Sequence, residues 1–76
     1  MRQFRGFTQT VVEAIKATPK SHPGGRLGRF MLANRVSALD MADTLGVRPM
    51  TIYSLITGAS YPRPTLLSKI ETVIQQ

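Results

Sequence analysis

The sequence predicts an all-α fold of about five short helices. Three observations carry that prediction. Apolar residues recur at helical spacing in successive short windows. Proline, glycine and small polar residues punctuate the intervals between those windows. Near the centre, two windows are separated by three residues led by a glycine, the spacing of a helix-turn-helix.

Met1 to Gly6 reads as a short basic arm carrying Arg2 and Arg5. A helix is predicted over about Thr8 to Ala17. Val11 and Ile15 lie one turn apart, with Ala14 beside them and Phe7 a turn earlier, which makes an apolar stripe. Thr8 as N-cap would let Phe7 pack on Val12 as a hydrophobic staple, while Thr10 with Glu13 offers a competing capping box. Pro19 stops this helix. Thr18 to Gly25, TPKSHPGG, is rich in turn formers and reads as a linker. The next helix is predicted over about Arg26 to Asn34, burying Leu27, Phe30 and Met31. Its end is placed near Asn34, which tolerates the left-handed conformation that many helix ends need. Arg35 and Val36 lead on from it.

Ser37 suits the N-cap of the following helix, and Asp40 adds negative charge to its first turn. Ala38, Met41, Ala42 and Leu45 fall on one helical face. Gly46 suits the C′ position, where φ is positive and a side chain is costly. Val47 fills the turn. Pro49 fits the first position of a new helix, whose inner face is Ile52, Leu55 and Ile56. Gly58 ends it. Ala42 is small where the two helices cross, and Met41, Leu45, Val47, Ile52 and Leu55 lock the crossing angle. An ordinary helical hairpin is the alternative to a helix-turn-helix. In the last helix, Leu66, Leu67, Ile70, Val73 and Ile74 exceed one narrow stripe, so a surplus is left to face a second subunit.

With 76 residues the chain holds one small core. It divides by composition into an arm, helix and linker over 1–25 and a helix-turn-helix domain over 26–76. No cysteine is present, which excludes disulfides, thiolate metal sites and a cysteine nucleophile. One histidine and four acidic residues give little material for a metal cage or an acid–base pair. No catalytic nucleophile–base set and no phosphate-cradling loop is found, so neither an enzyme nor a cofactor or metal is expected. The 42% apolar content argues against a disordered tail. No apolar run reaches the roughly 18 residues of a membrane span, and no signal-peptide core follows Arg2 and Arg5. A cytoplasmic protein without a membrane partner is expected.

Charge is unevenly placed. Up to Val36 seven Lys or Arg face one acid, a net +6, and from Ser37 onward three of each sign cancel. An excess concentrated in one half suggests a polyanion, nucleic acid being the commonest. A merely solubilising surface is the alternative.

The central segment ALDMADTLGVRPMTIYSLITG resembles the helix-turn-helix of the phage repressor and Cro family. The trailing SYPRPTLLSKIETV is similar to that family's proline-containing loop and apolar helix. The resemblance, covering about Pro23 to Val73, implies a lambda-repressor-like domain to which the N-terminal helix is an addition. His22 to Leu32, HPGGRLGRFML, resembles the His-Pro-Gly start of HigA-type antitoxins. The repressor resemblance carries DNA contact onto Pro49, Met50, Tyr53, Ser54 and Thr57, with Thr51 at the edge. Ala38, at the start of the first motif helix, joins these candidates. The sequence departs from the family in opening the recognition helix with Arg48 and Pro49 and in lacking Gln, Arg or Asn on its outer face. The bidentate chemistry that best reads guanine or adenine is absent there.

Arg48 sits where backbone N–H groups and the helix dipole favour a phosphate. Arg63, between Pro62 and Pro64, corresponds to a loop that approaches the backbone in that family. Arg29 and Arg35 either clamp phosphates or pair with Asp40 and Asp43. Tyr53 either reaches DNA or packs on the domain. His22 reads as a linker residue and Lys69 as an ordinary surface lysine. Together these features predict a sequence-specific regulator of bacterial or phage origin, a repressor by preference, that occupies operator DNA as a homodimer. The alternative is an antitoxin-type module that binds a toxin and regulates its own operon.

Overall fold

Five helices organise residues 7–75, the part of the chain that the computed structural model describes. They are α1 (Gln9–Ala17), α2 (Pro23–Asn34), α3 (Ala38–Leu45), α4 (Pro49–Ile56) and α5 (Pro64–Ile74). No strand is present among the described residues. The basic arm with Arg2 and Arg5 lies outside them.

Thr8 is the N-cap of α1: its hydroxyl accepts from the Val11 N–H at 3.3 Å, which decides between the two possible starts. Helix α2 begins three residues before the expected point. His22 is its N-cap, with Nδ1 accepting from the Gly24 N–H at 3.0 Å, and Pro23 occupies the first turn. The segment expected to be linker is therefore partly helix, and the boundary drawn after Gly25 falls inside α2. Two glycines in a first turn are unfavourable by about 1 kcal/mol each relative to alanine. Packing overrides this. A methyl on Gly24 would overlap the Leu55 carbonyl of α4, and one on Gly25 would lie 2.8 Å from the Pro19 carbonyl oxygen. One on Gly28 would lie 2.9 Å from Ile15. The glycines let α2 approach its neighbours at backbone distance.

The left-handed residue that closes α2 is Arg35, at φ 57, and not Asn34. Asn34 completes the helix and its Nδ2 donates to the Phe30 carbonyl at 2.9 Å. Gly46 closes α3 at φ 72, as expected, and Gly58 follows α4 at φ 83.

Helix α2 is the hub, packing on α1, α4 and α5, while α3 packs on α4 and α5. The largest side chains of the core are Ile15, Leu27, Met31, Met41, Leu45, Ile52, Leu55, Ile56 and Ile70, every one of them essentially inaccessible. It draws on all five helices, so α1 belongs to the same unit through Ile15. The radius of gyration, 11.1 Å, agrees with the roughly 11 Å of a single packed domain of this length. At the junction of α1 and α4 the Thr18 hydroxyl donates to the Ala14 carbonyl at 2.8 Å and lies 3.4 Å from that of Ile56. Across α2 and α5, Arg26 grips Glu71 with both terminal guanidinium nitrogens, Nη1 and Nη2, at 2.8 and 3.2 Å. No helix among the described residues is long and apolar enough to cross a membrane.

Candidate nucleic-acid interface

The geometry of the site starts at Ser37. Its hydroxyl accepts from the Asp40 N–H at 3.1 Å, and Asp40 stands in the first turn of α3, so cap and helix dipole agree. At the other end the Gly46 and Val47 N–H groups both donate to the Ala42 carbonyl, which turns the chain sharply. Three residues later Pro49 starts α4 with its φ already set for a helix. Burial of Ile52, Leu55 and Ile56 fixes the rotation of α4, and that rotation decides what faces out.

Met50 is 78% exposed and Tyr53 42%, both large side chains presented to solvent from one face of α4. Pro49, Thr51, Ser54 and Thr57 are half-buried around them. The Thr57 hydroxyl donates to the Tyr53 carbonyl at 2.6 Å, so its proton is committed and it is left to act as an acceptor. Arg48 is exposed at the N-cap position, and no side chain caps α4. The positive end of the helix dipole and a guanidinium are thus presented together, a combination suited to phosphate.

Arg63 is exposed at the N-cap of α5, held between buried Pro62 and the helix-opening Pro64. An open groove joins it to the motif. Gly46 and Thr51 of the motif line it, together with Tyr61, Arg63 and Lys69. Sequence reasoning took Lys69 for an ordinary surface lysine and did not single out Tyr61. Nothing in local spacing relates them to Thr51, because the loop after Gly58 brings them there.

Two expected contact residues are placed elsewhere. Ala38 is only 5% exposed and belongs to the core with Met41, Ala42 and Leu45. Its helical phase, which put it on the inner face, decides this. Arg29 is engaged with α1: its Nη2 donates to the Thr18 carbonyl at 2.7 Å and to that of Lys16 at 3.2 Å. It caps the C-terminal end of that helix, where orphan carbonyls and the negative dipole end attract a cation. Its guanidinium is thus turned toward the α1 carbonyls. Arg35 is exposed at the corner between α2 and α3.

Tyr53 also touches the domain, the second of the two options left open for it. The ring of Phe7 meets it edge-on, with centroids 6.0 Å apart and planes at 85°. Phe7 therefore reaches across to α4. His22 is a helix cap, and its ring meets Tyr61 at 5.1 Å. No group of three or more potential metal ligands occurs among the described residues.

Compared with known proteins, the chain matches no family model, no curated protein and no solved structure. The likeness to the phage repressor and Cro family rests on the motif residues themselves.

Proposed function

We propose that the chain binds double-stranded DNA with α4 as its recognition helix and regulates transcription by occupying an operator. The observation that carries this reading is the α3–α4 pair. A left-handed glycine closes the first helix, the second is locked by its buried face, and its opposite face offers Met50, Tyr53, Ser54 and Thr57 beside the exposed cation Arg48. A major groove about 12 Å wide admits a helix so presented. Arg48, Arg63 and Lys69 would hold the phosphates that fix its register. Base reading would come from hydroxyls, from the Met50 side chain against thymine methyl groups, and from DNA shape.

The same reading includes a homodimer acting in the cytoplasm of a bacterial or phage-infected cell. Leu67 is half-buried and stands outside the hydrophobic cluster that Leu66, Val73 and Ile74 join, which supports α5 as the contact surface. The test is selection of bound duplexes from a random pool, combined with sedimentation of the protein free and on the selected duplex. A palindromic product with half-sites about 34 Å apart and a dimer on DNA is expected. Failure to enrich any sequence would defeat the reading.

A further inference from the structure

The N-terminal helix is the part of the chain that the motif resemblance leaves without a role, and it packs where it touches α4 at both of its ends. At its C-terminal end Ile15 is fully buried and Thr18 reaches the Ile56 carbonyl. At its N-terminal end Phe7, the residue before the Thr8 cap, sets its ring edge-on to Tyr53. Tyr53 has the longest polar reach of the outer face of α4, and its 42% exposure leaves the ring accessible along one side. An exposed tyrosine on a helix samples several rotamers, and ordering it on binding lowers affinity. An aromatic neighbour in a T-shaped contact favours one of them. Phe7 is in turn held by the helix cap behind it and by the hydrophobic cluster it packs against.

We infer that Phe7, at the entry to α1, is a positioning residue for the DNA-reading surface, pre-setting the Tyr53 ring in the orientation that contacts a base. This rests on the DNA-binding function proposed above. In this arrangement Tyr53 does not have to be ordered when DNA arrives, so the gain is confined to the base pair it meets. The wrong base has no contact to lose, and discrimination at that pair depends on Phe7.

The experiment measures, for each protein, the ratio of affinities for the selected duplex and for its single-base variants. Partial unfolding of a variant lowers both affinities equally and leaves the ratio intact. Tyr53→Ala identifies the base pair that Tyr53 reads. Phe7→Ala is expected to lower the ratio at that same pair by about 2- to 10-fold, the equivalent of one side chain's ordering. Phe7→Tyr, which keeps the ring, is expected to restore it. In the Tyr53→Ala background Phe7→Ala should change the ratio no further. A ratio unchanged in Phe7→Ala, or lowered equally at all pairs or in the Tyr53→Ala background, overturns the inference while leaving DNA binding in place. Absence of duplex binding by the parent protein overturns the functional reading, and the inference with it.

Discussion

Replacing Gly46 with alanine separates backbone torsion from packing at the turn between α3 and α4. Gly46 sits at φ 72 and ψ 33, and a methyl built on it would meet no atom within 4 Å. Any loss of stability is therefore conformational. An L-residue in the left-handed region costs about 1–2 kcal/mol. Alanine also restricts the unfolded chain, which offsets about 0.4–1 kcal/mol. Taken at their midpoints, these leave a net loss of about 0.8 kcal/mol. A domain of 76 residues at about 0.05–0.15 kcal/mol per residue has a total stability of about 4–11 kcal/mol. At about 4–8 °C per kcal/mol, the melting temperature should fall by about 3–6 °C. Thermal unfolding followed by circular dichroism, at fixed pH and salt, reads this directly. Asparagine, which enters the left-handed region more readily, should lose less than alanine. An alanine variant that melts with the parent, or an asparagine variant that melts below alanine, would refute the torsional account.

Gly24→Ala tests the opposite mechanism. Its methyl would overlap the Leu55 carbonyl, so α2 and α4 must part by something on the order of an ångström, and a loss of about 1–3 kcal/mol or more is expected. A variant as stable as the parent in the same melt would show that the two backbones are not in contact. Arg29→Ala should lower stability by about 1–2 kcal/mol, because the Lys16 and Thr18 carbonyls lose a charged donor. It should leave the salt dependence of DNA binding unchanged. Arg48→Ala should do the reverse: melting unchanged, and the slope of log affinity against log salt reduced by about one. If the two arginines exchange these signatures, their assignments are wrong. The Arg26–Glu71 pair, with side chains 39% and 32% exposed, should show a coupling below about 1 kcal/mol in a double-mutant cycle. A substantially larger value would mean that the pair is shielded from solvent.

Much of the fold was legible because its determinants are local. Ser37, Gly46 and Pro49 act on their own backbone: Ser37 accepts from an N–H three residues on, Gly46 donates to a carbonyl four residues back, and Pro49 supplies its own fixed φ. The inner face of α4 followed from spacing alone, and with it the outer face. The helix count and the all-α class follow from the same local rules.

The start of α2 was not legible, since Pro-Gly-Gly by local rules is a turn. Only the close approach of Leu55 and the Thr18–Pro19 segment shows why glycine is needed there and why it stays helical. In sequence both Arg29 and Arg48 are candidates for a phosphate, Arg29 with an ion pair as its alternative. The α1 C-terminus takes the first as a cap, while the second is left exposed. The groove that joins Thr51 to Arg63 and Lys69, and the ring contact of Phe7 with Tyr53, span long separations along the chain. The sequence by itself thus determined the number of helices, the caps of α3 and the rotation of the candidate recognition helix, because hydrogen bonds within a few residues and one apolar stripe specify those. The tertiary structure alone decided which cations are free for a ligand and which aromatic stands beside Tyr53. Those outcomes depend on distances between segments, and close packing sets such distances without leaving a periodic trace in the chain.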